Sequence, residues 1–298
     1  MSASGVWDHA CMRWMGETER GAWIRSRLNG PLGSVSSIVP SGFDAYARVL
    51  HPSTVTRYHP QGRGDPQEDY SEESWTWARI AAHTGAVIHP QVQWIRVAGH
   101  QYESVPLPEI GSADPPPLGH LGPGILAHVM TIAGEHTSTP DDVTAALWEG
   151  WSIESGTVWI AAFASDNDAD NGDTHDVQPQ RSKVDNRLAT LLKNGPFLEL
   201  PERRYVLLAT KVSELTDPEW PQTAGMGWTD WLPGPMPQLI WPADHAWAIA
   251  SEIDVDSTLI GGTYGFITEL VEHSAIEAVR VGGRTDLTWD ADDINRAT

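Results

Sequence analysis

The chain has few basic residues. Its 298 residues include 19 Lys and Arg against 40 Asp and Glu, which gives a formal net charge of −21 at pH 7. Proteins that bind nucleic acid use Lys and Arg to neutralise phosphates, and anionic membrane surfaces attract basic segments. The composition therefore argues against nucleic-acid and membrane partners. It favours a basic or neutral protein, a cation or a neutral small molecule as the ligand.

Cysteine and long apolar segments are also scarce. Cys11 is the only cysteine, so the chain cannot form an internal disulfide or a thiolate metal cluster. The N-terminus lacks the basic start and apolar run of a secretory signal. The longest uncharged apolar stretch, 158–164, is shorter than the roughly 20 residues that cross a bilayer. We therefore expect a cytoplasmic protein.

Standard catalytic and cofactor motifs are missing. The sequence contains no Walker A loop, no G-x-G-x-x-G, no H-E-x-x-H, no G-x-S-x-G and no C-x-x-C. Their absence argues against P-loop ATPases, dinucleotide-dependent enzymes, zinc proteases and α/β-hydrolases. We expect no cofactor and no metal, although an enzyme built from scattered residues stays open.

Helical and strand patterns are mixed without a regular strand–helix–strand rhythm. This mixture predicts an α+β fold with mixed or antiparallel sheets and packed helices. The predicted helices are 17–28, 71–84, 123–135, and two that begin after the capping residues Thr139 and Thr263. The predicted strands are 34–39, 43–50, 92–98, 157–164, 197–200, 205–209, 239–241, 247–255 and 278–281.

The organisation along the chain favours one unit over 1–298. Two stretches are candidate subdomain junctions, namely the proline-rich 106–123 and the acidic 165–185. A weak similarity links 37–43 with 198–205, because each predicts a strand, a turn containing proline and a second strand. Two similar halves therefore stay open as an alternative.

An acidic row stands out near the C-terminal end. If 246–256 is an extended strand, Glu252, Asp254 and Asp256 point to one face, with neighbouring β-carbons about 7 Å apart. At an effective dielectric near 20 their repulsion is roughly 2.4 kcal/mol, so a buried row needs a shared proton, a cation or arginine partners. Such spacing suits the two carboxylates of an inverting glycoside hydrolase. An exposed row would need no such partner and could be an ordinary solvated strand face.

Histidine and tryptophan supply the remaining candidates. His245 precedes the acidic row and is a further catalytic candidate, with a hydrogen-bonded structural role as the alternative. Tryptophan is frequent, with 15 residues against four phenylalanines. Trp228 and Trp231 lie on a loop rich in Gly and Pro, and Trp241 and Trp247 flank His245. All four are candidate binding residues, because tryptophan anchors interfaces and stacks on sugar rings, with core packing as the alternative.

Several long segments resemble a family of actinobacterial proteins with no established activity. They include VPSGFDAYARVLHP at 39–52, HTSTP at 136–140 and WPADHAWAIASEIDVDSTLIGG at 241–262. The resemblance implies a single conserved unit and supplies no catalytic residues. It also implies an arginine more often at the position of His245, which weakens a ligand role for that histidine.

The leading expectation is a non-enzymatic protein-interaction module of an immunity-like or regulatory kind. It rests on the acidic charge, the loop tryptophans and the missing catalytic motifs. The alternative is a carboxylate-dependent hydrolase or carbohydrate-binding protein that uses the acidic row with Trp241 and Trp247, and it requires 252–256 to be extended. A stabilising or storage role without a specific site also stays open.

Overall fold

A computed structural model describes residues 12–58, 70–151, 153–154, 157–158, 182–228 and 234–296. In chain order, its strands are β1 Arg13–Met15, β2 Ala45–Leu50, β3 Ser53–Tyr58, β4 Tyr70–Trp75, β5 Val105–Leu107, β6 Gly111–Ala113, β7 Val143–Trp148, β8 Ile153–Glu154, β9 Thr157–Val158, β10 Ser182–Lys183, β11 Leu198–Leu200, β12 Arg203–Thr210, β13 Leu239–Pro242, β14 Ala248–Ser251, β15 Ser257–Gly262 and β16 Ala278–Val281. A 3-10 turn covers Thr18–Gly21, and the α-helices are α1 Ala22–Arg25, α2 Val35–Ile38, α3 Trp77–Thr84, α4 Trp94–Ala98, α5 Pro123–Glu135, α6 Asn186–Asn194, α7 Val212–Leu215, α8 Trp220–Thr223 and α9 Tyr264–Glu272.

Nine of the described strands form an antiparallel sheet, called here the main sheet. Its order is β1-β12-β7-β13-β14-β15-β2-β16, and β11 pairs with β12 as a hairpin. The strands at its centre are buried on both faces because each face carries an apolar cluster. One cluster packs beneath α5 to α9, and the other beneath α1, α2 and the loop that contains Leu287. These helices and antiparallel sheets confirm the predicted α+β class.

A second sheet, called the small sheet, follows β2 directly. Its four strands run in the order β4-β3-β6-β5. They share an apolar cluster with α3 and α4, in which Trp77 and Trp94 are fully buried with ring centroids 5.4 Å apart. The strands β8 to β10 form a third, three-stranded sheet in the order β10-β9-β8.

Several predicted elements are confirmed. They are the strand over 45–50, the hairpin of β11 and β12, the helices α5 and α9, and the strands β13 and β16. The cap of α9 has the predicted chemistry, since the Thr263 hydroxyl accepts from the Phe266 N–H at 3.3 Å. In each of these elements the local pattern and the packing of the finished fold agree.

Other predictions are wrong, because contacts with distant parts of the chain determine the secondary structure of these segments more strongly than their local sequence pattern does. Residues 35–38 form α2 and 94–98 form α4, so neither of the strands predicted over 34–39 and 92–98 forms. The segments 34–39 and 43–50 therefore do not pair as a hairpin, and β2 pairs with β15 and β16 instead. The acids at 71–73 lie in β4, and α3 begins after Thr76, whose hydroxyl accepts from Arg79 N–H. The residues after Thr139 turn into β7 instead of a helix. The helix predicted over 17–28 is a 3-10 turn followed by the short α1.

Most of the acidic junction near 165–185 lies outside the described residues, as does most of the strand predicted over 157–164. The other junction, 106–123, contains β5 and β6 of the small sheet. The single-unit organisation stays a prediction.

Candidate functional site

The acidic row is not a strand. β14 ends at Ser251 and β15 begins at Ser257, and these strands pair in a hairpin with Ser251 opposite Thr258. The residues between them reverse the chain, and the Val255 N–H donates to the Glu252 carbonyl at 3.0 Å. The extended conformation predicted for 252–256 is therefore wrong, because closing the hairpin requires a turn there. The three carboxylates do not share a strand face.

Asp256 points into the protein and pairs with Arg48 of β2, at 3.4 Å. Both side chains are buried, and Arg48 also donates to the Ser257 hydroxyl at 2.8 Å and the Val92 carbonyl at 2.6 Å. Burial raises the pKa of the Asp256 carboxyl and lowers that of the Arg48 guanidinium, and the attraction between the two opposes both shifts. The pair lies within the main sheet, and the Arg48 bond to Val92 links it to the apolar cluster of the small sheet. Asp256 is therefore a buried structural residue.

Glu252 and Asp254 converge on Arg203 of β12. The Arg203 Nη2 lies 2.8 Å from a Glu252 oxygen and 3.6 Å from an Asp254 oxygen. Partial burial acts to lower the pKa of Arg203, but the hydrogen bond and negative charge of Glu252 outweigh it and raise that pKa. The guanidinium also lies 5.4 Å from the ring centroid of Trp148. Two of the three predicted acids are thus brought together, with an arginine between them.

An open cavity of about 350 Å³ adjoins this cluster and is called here the Arg203 pocket. It is lined by Arg25, Trp148, Glu149, Glu199, Leu200, Glu202, Arg203 and Arg204. Within the lining, Arg204 Nε pairs with Glu149 at 2.6 Å, and Arg25 Nε donates to the Glu199 carbonyl at 3.0 Å. The pocket therefore presents charges of both signs. Sequence reasoning missed it, although consecutive arginines at the start of β12 were a visible signal.

His245 lies at the opposite end of β14 from the acids, in the turn after β13. Its backbone is left-handed, with φ +56°, and its ring stacks on Trp23 at 4.3 Å between centroids. The preceding Asp244 accepts from the Ser138 N–H at 2.7 Å. Partial burial and the positive charge of Arg27 lower the pKa of His245. The structure does not bring this histidine together with Glu252 or Asp254.

The candidate tryptophans have different environments. Trp241 and Trp247 are fully buried, and Trp247 Nε1 donates to the Ala133 carbonyl at 2.9 Å. Their predicted role as binding residues that stack on a ligand is corrected to core packing, since neither ring is accessible at the surface. Trp228 is half-buried, and its Nε1 donates to the Pro235 carbonyl at 3.0 Å. Trp231 lies outside the described residues.

A surface that the sequence did not reveal lies around the C-terminal segment and is called here the C-terminal patch. It is defined by four exposed apolar residues on neighbouring segments, Leu32, Val87, Trp289 and Ile294, with Trp289 69% and Leu32 89% exposed. Backbone contacts bring the contributing segments together. The Leu287 N–H donates to the Gly33 carbonyl at 2.8 Å, and the Val87 N–H donates to Asn295 Oδ1 at 2.8 Å.

The patch is held in place by Asp292, whose side chain is fully buried. Its carboxylate accepts from the N–H groups of Gln93 at 3.1 Å and Asn295 at 3.0 Å, and lies 2.8 Å from His89 Nε2. Burial acts to raise the pKa of Asp292, but the hydrogen bonds from Asn295, Gln93 and His89 outweigh it and lower that pKa. Trp289 and Ile294 therefore lie on an anchored loop.

Comparisons with protein-family models, curated proteins and solved structures find no significant match. The resemblance to an actinobacterial family therefore stays a prediction. Among the helices that the structure describes, none is long and apolar enough to cross a membrane. Within the same ranges, no group of three or more His, Cys, Asp or Glu side chains is placed to hold a metal ion.

Proposed function

We propose that the chain is a non-enzymatic protein-binding module and that the C-terminal patch is its contact surface. The observation that supports this proposal is Trp289, a large aromatic side chain exposed on a loop anchored by the buried Asp292. Exposed apolar groups that cluster on a surface mark interaction sites, and tryptophan is enriched among residues that dominate binding energy. An anchored loop also loses little conformational freedom on binding.

The negative net charge of the chain and the aspartates near the patch favour a basic partner. Asp286, Asp290 and Asp293 are exposed on the same segment, and Asp290 and Asp293 each lie 3.2 Å from Arg296. The whole chain carries a net charge of −21. An apolar centre with a charged rim is the usual anatomy of a protein interface, and charge complementarity raises the association rate. The proposal includes an immunity-like or regulatory role in the cytoplasm.

The hydrolase or carbohydrate-binding alternative has less support. It required a row of aligned acids beside Trp241 and Trp247, whereas Asp256 pairs with Arg48 inside the fold and both tryptophans are buried. Glu252 and Asp254 are held by Arg203.

The test is affinity capture from native lysate on immobilised protein, at low and at high salt. We expect a stoichiometric basic partner that elutes as the salt concentration rises, because salt screens the attraction between exposed charges. The Trp289→Ala variant should lose this partner while remaining folded, since the ring is mostly exposed. Equal recovery on Trp289→Ala would contradict the proposed surface.

The matched control is Tyr264→Ala, which removes another exposed aromatic side chain, at the start of α9. This variant should retain the partner. If Tyr264→Ala and Trp289→Ala reduced recovery equally, the binding would be a general property of exposed rings, and the proposal would fail. Recovery of no partner at either salt concentration would also count against it.

A further inference from the structure

The turn between β11 and β12 has an unusual residue at its tip. Pro201 and Glu202 connect the paired residues Leu200 and Arg203, and Glu202 has φ +70°. A turn with proline first and a left-handed second residue normally has glycine at the second position, because an L side chain is strained there. The chain nevertheless has a glutamate at this position, and Glu202 is one of the residues that line the Arg203 pocket.

The backbone strain alone does not mark a site. Glu109 has φ +65° in the turn between β5 and β6, where it also follows a proline. The two residues differ because Glu202 lines the Arg203 pocket and Glu109 does not. Glu202 lies in it beside charged neighbours, and within the described part of the chain its carboxylate takes part in no ion pair.

Arg203 supplies the opposite charge in the same pocket. A guanidinium has five N–H donors. In Arg203, Nη2 is occupied by Glu252 at 2.8 Å, Nη1 reaches only the Glu202 carbonyl at 3.5 Å, and the buried Nε has no hydrogen-bond partner among the described residues. An acceptor bound in the pocket would engage Nη1 of Arg203, which the described residues leave without a close acceptor.

We infer that the Arg203 pocket binds a small zwitterion, a free amino acid, with the ammonium group against Glu202 and the carboxylate against Arg203. A ligand of one charge would meet an equal number of like charges, since three arginines and three glutamates line the cavity. A ligand with both charges pairs with both signs. The cavity volume of about 350 Å³ lies within the range of small-molecule sites. This inference is independent of the C-terminal patch.

The test is isothermal titration calorimetry of the full chain at low salt with a panel of free amino acids. Ethylamine and propionate serve as probes that carry one charge each. We expect at least one amino acid to bind at least about tenfold more tightly than either single-charge probe, a difference of about 1.4 kcal/mol. Equal binding of ethylamine or propionate would overturn the inference, as would the absence of binding by every amino acid at millimolar concentration.

Variants separate ligand binding from turn geometry. Glu202→Gly should raise the melting temperature, because it relieves the left-handed strain, and should weaken amino-acid binding at least about tenfold. Glu202→Gln keeps the strain and should weaken binding as well. Glu109→Gly is the matched control, which should raise the melting temperature and leave binding unchanged. Unchanged binding in Glu202→Gly would overturn the inference.

Discussion

His51 shows how a single residue can make stability depend on pH. Its Nδ1 lies 2.7 Å from the Pro117 carbonyl, and its Nε2 lies 2.8 Å from the Thr258 hydroxyl, which is 2.7 Å from Ser251 Oγ. The carbonyl can only accept, so Nδ1 carries the proton and Nε2 accepts from Thr258. Burial lowers the pKa of His51 to about 3, with a smaller contribution from the positive charge of Arg48.

The sign of the pH dependence follows from this lowered pKa. Between about pH 6.5 and about pH 3 the unfolded chain binds a proton at His51 that the folded chain does not bind. The contribution of His51 to stability is therefore fully present above about pH 6.5, and it decreases by up to about 1.4 kcal/mol per pH unit on acidification. We expect His51→Gln to flatten this part of the profile, measured by urea unfolding at a series of pH values.

The control for that prediction is His100→Gln, which replaces a largely exposed histidine. The buried ring of His51 is intact in this variant, so the loss of stability on acidification that His51 causes should remain. If His51→Gln also kept the parent slope, the neutral state assigned to the buried ring would be wrong.

At the scale of the element, β6 depends on a glycine. Gly111 pairs with Arg57 of β3 and has φ +152°, and a Cβ atom there would lie 1.9 Å from the Thr56 carbonyl oxygen. We expect Gly111→Ala to separate β6 from β3 and to lower the free energy of unfolding by about 1–3 kcal/mol. Urea unfolding monitored by circular dichroism measures the change.

Gly124→Ala is the control, and it should change the free energy of unfolding in the opposite direction to Gly111→Ala. Gly124 lies near the start of α5, where a Cβ atom would meet open space. Alanine is favoured over glycine in a helix, so this variant should raise the free energy of unfolding by about 0.5–1 kcal/mol. A destabilisation of equal size in both variants would refute the proposed clash at Gly111.

Elements were predictable where local signals agree with the packing of the whole fold. α9 was found because Thr263 caps it and its apolar stripe faces the core. The segment after Thr139 carries an equally good cap pattern, yet the following residues form β7, which pairs with both β12 and β13. Its apolar residues fill a strand buried on both faces, and that environment is not visible in a local window.

The sites were less predictable because their geometry depends on distant partners. Glu252 and Asp254 were recognised as an acidic group, but Arg203, which holds them, lies 49 residues before Glu252. The exposure of Trp289 depends on Asp292, which is anchored to Gln93, 199 residues earlier. Composition could suggest an exposed tryptophan but could not indicate which tryptophan is exposed.

At the scale of the whole molecule, several contacts join the two sheets. β2 of the main sheet leads into β3 of the small sheet through two residues. Trp77 Nε1 of α3 donates to the His51 carbonyl at 2.8 Å, and the Ala78 N–H donates to Glu277 at 2.7 Å. Together with the hydrogen bond from Arg48 of β2 to the Val92 carbonyl, these contacts couple the apolar clusters of the two sheets.

We therefore expect one cooperative unfolding transition for both sheets. Tryptophan fluorescence and far-ultraviolet circular dichroism should give the same midpoint in urea, because coincident probes indicate two-state behaviour. The fluorescence signal includes Trp77 and Trp94 of the small-sheet cluster and Trp247 of the main-sheet core. Two separated midpoints would show that the sheets unfold as independent units.

The position of β2 has a consequence for synthesis on the ribosome. Both of its neighbours in the main sheet, β15 and β16, come from the far end of the chain. The Arg48 contact with Ser257 spans 209 residues. During translation β2 leaves the exit tunnel long before either neighbour exists, so this part of the sheet closes only after the residues up to Val281 have emerged. Until then its apolar residues stay unpaired, which makes the nascent chain a candidate client for chaperones that shield such segments.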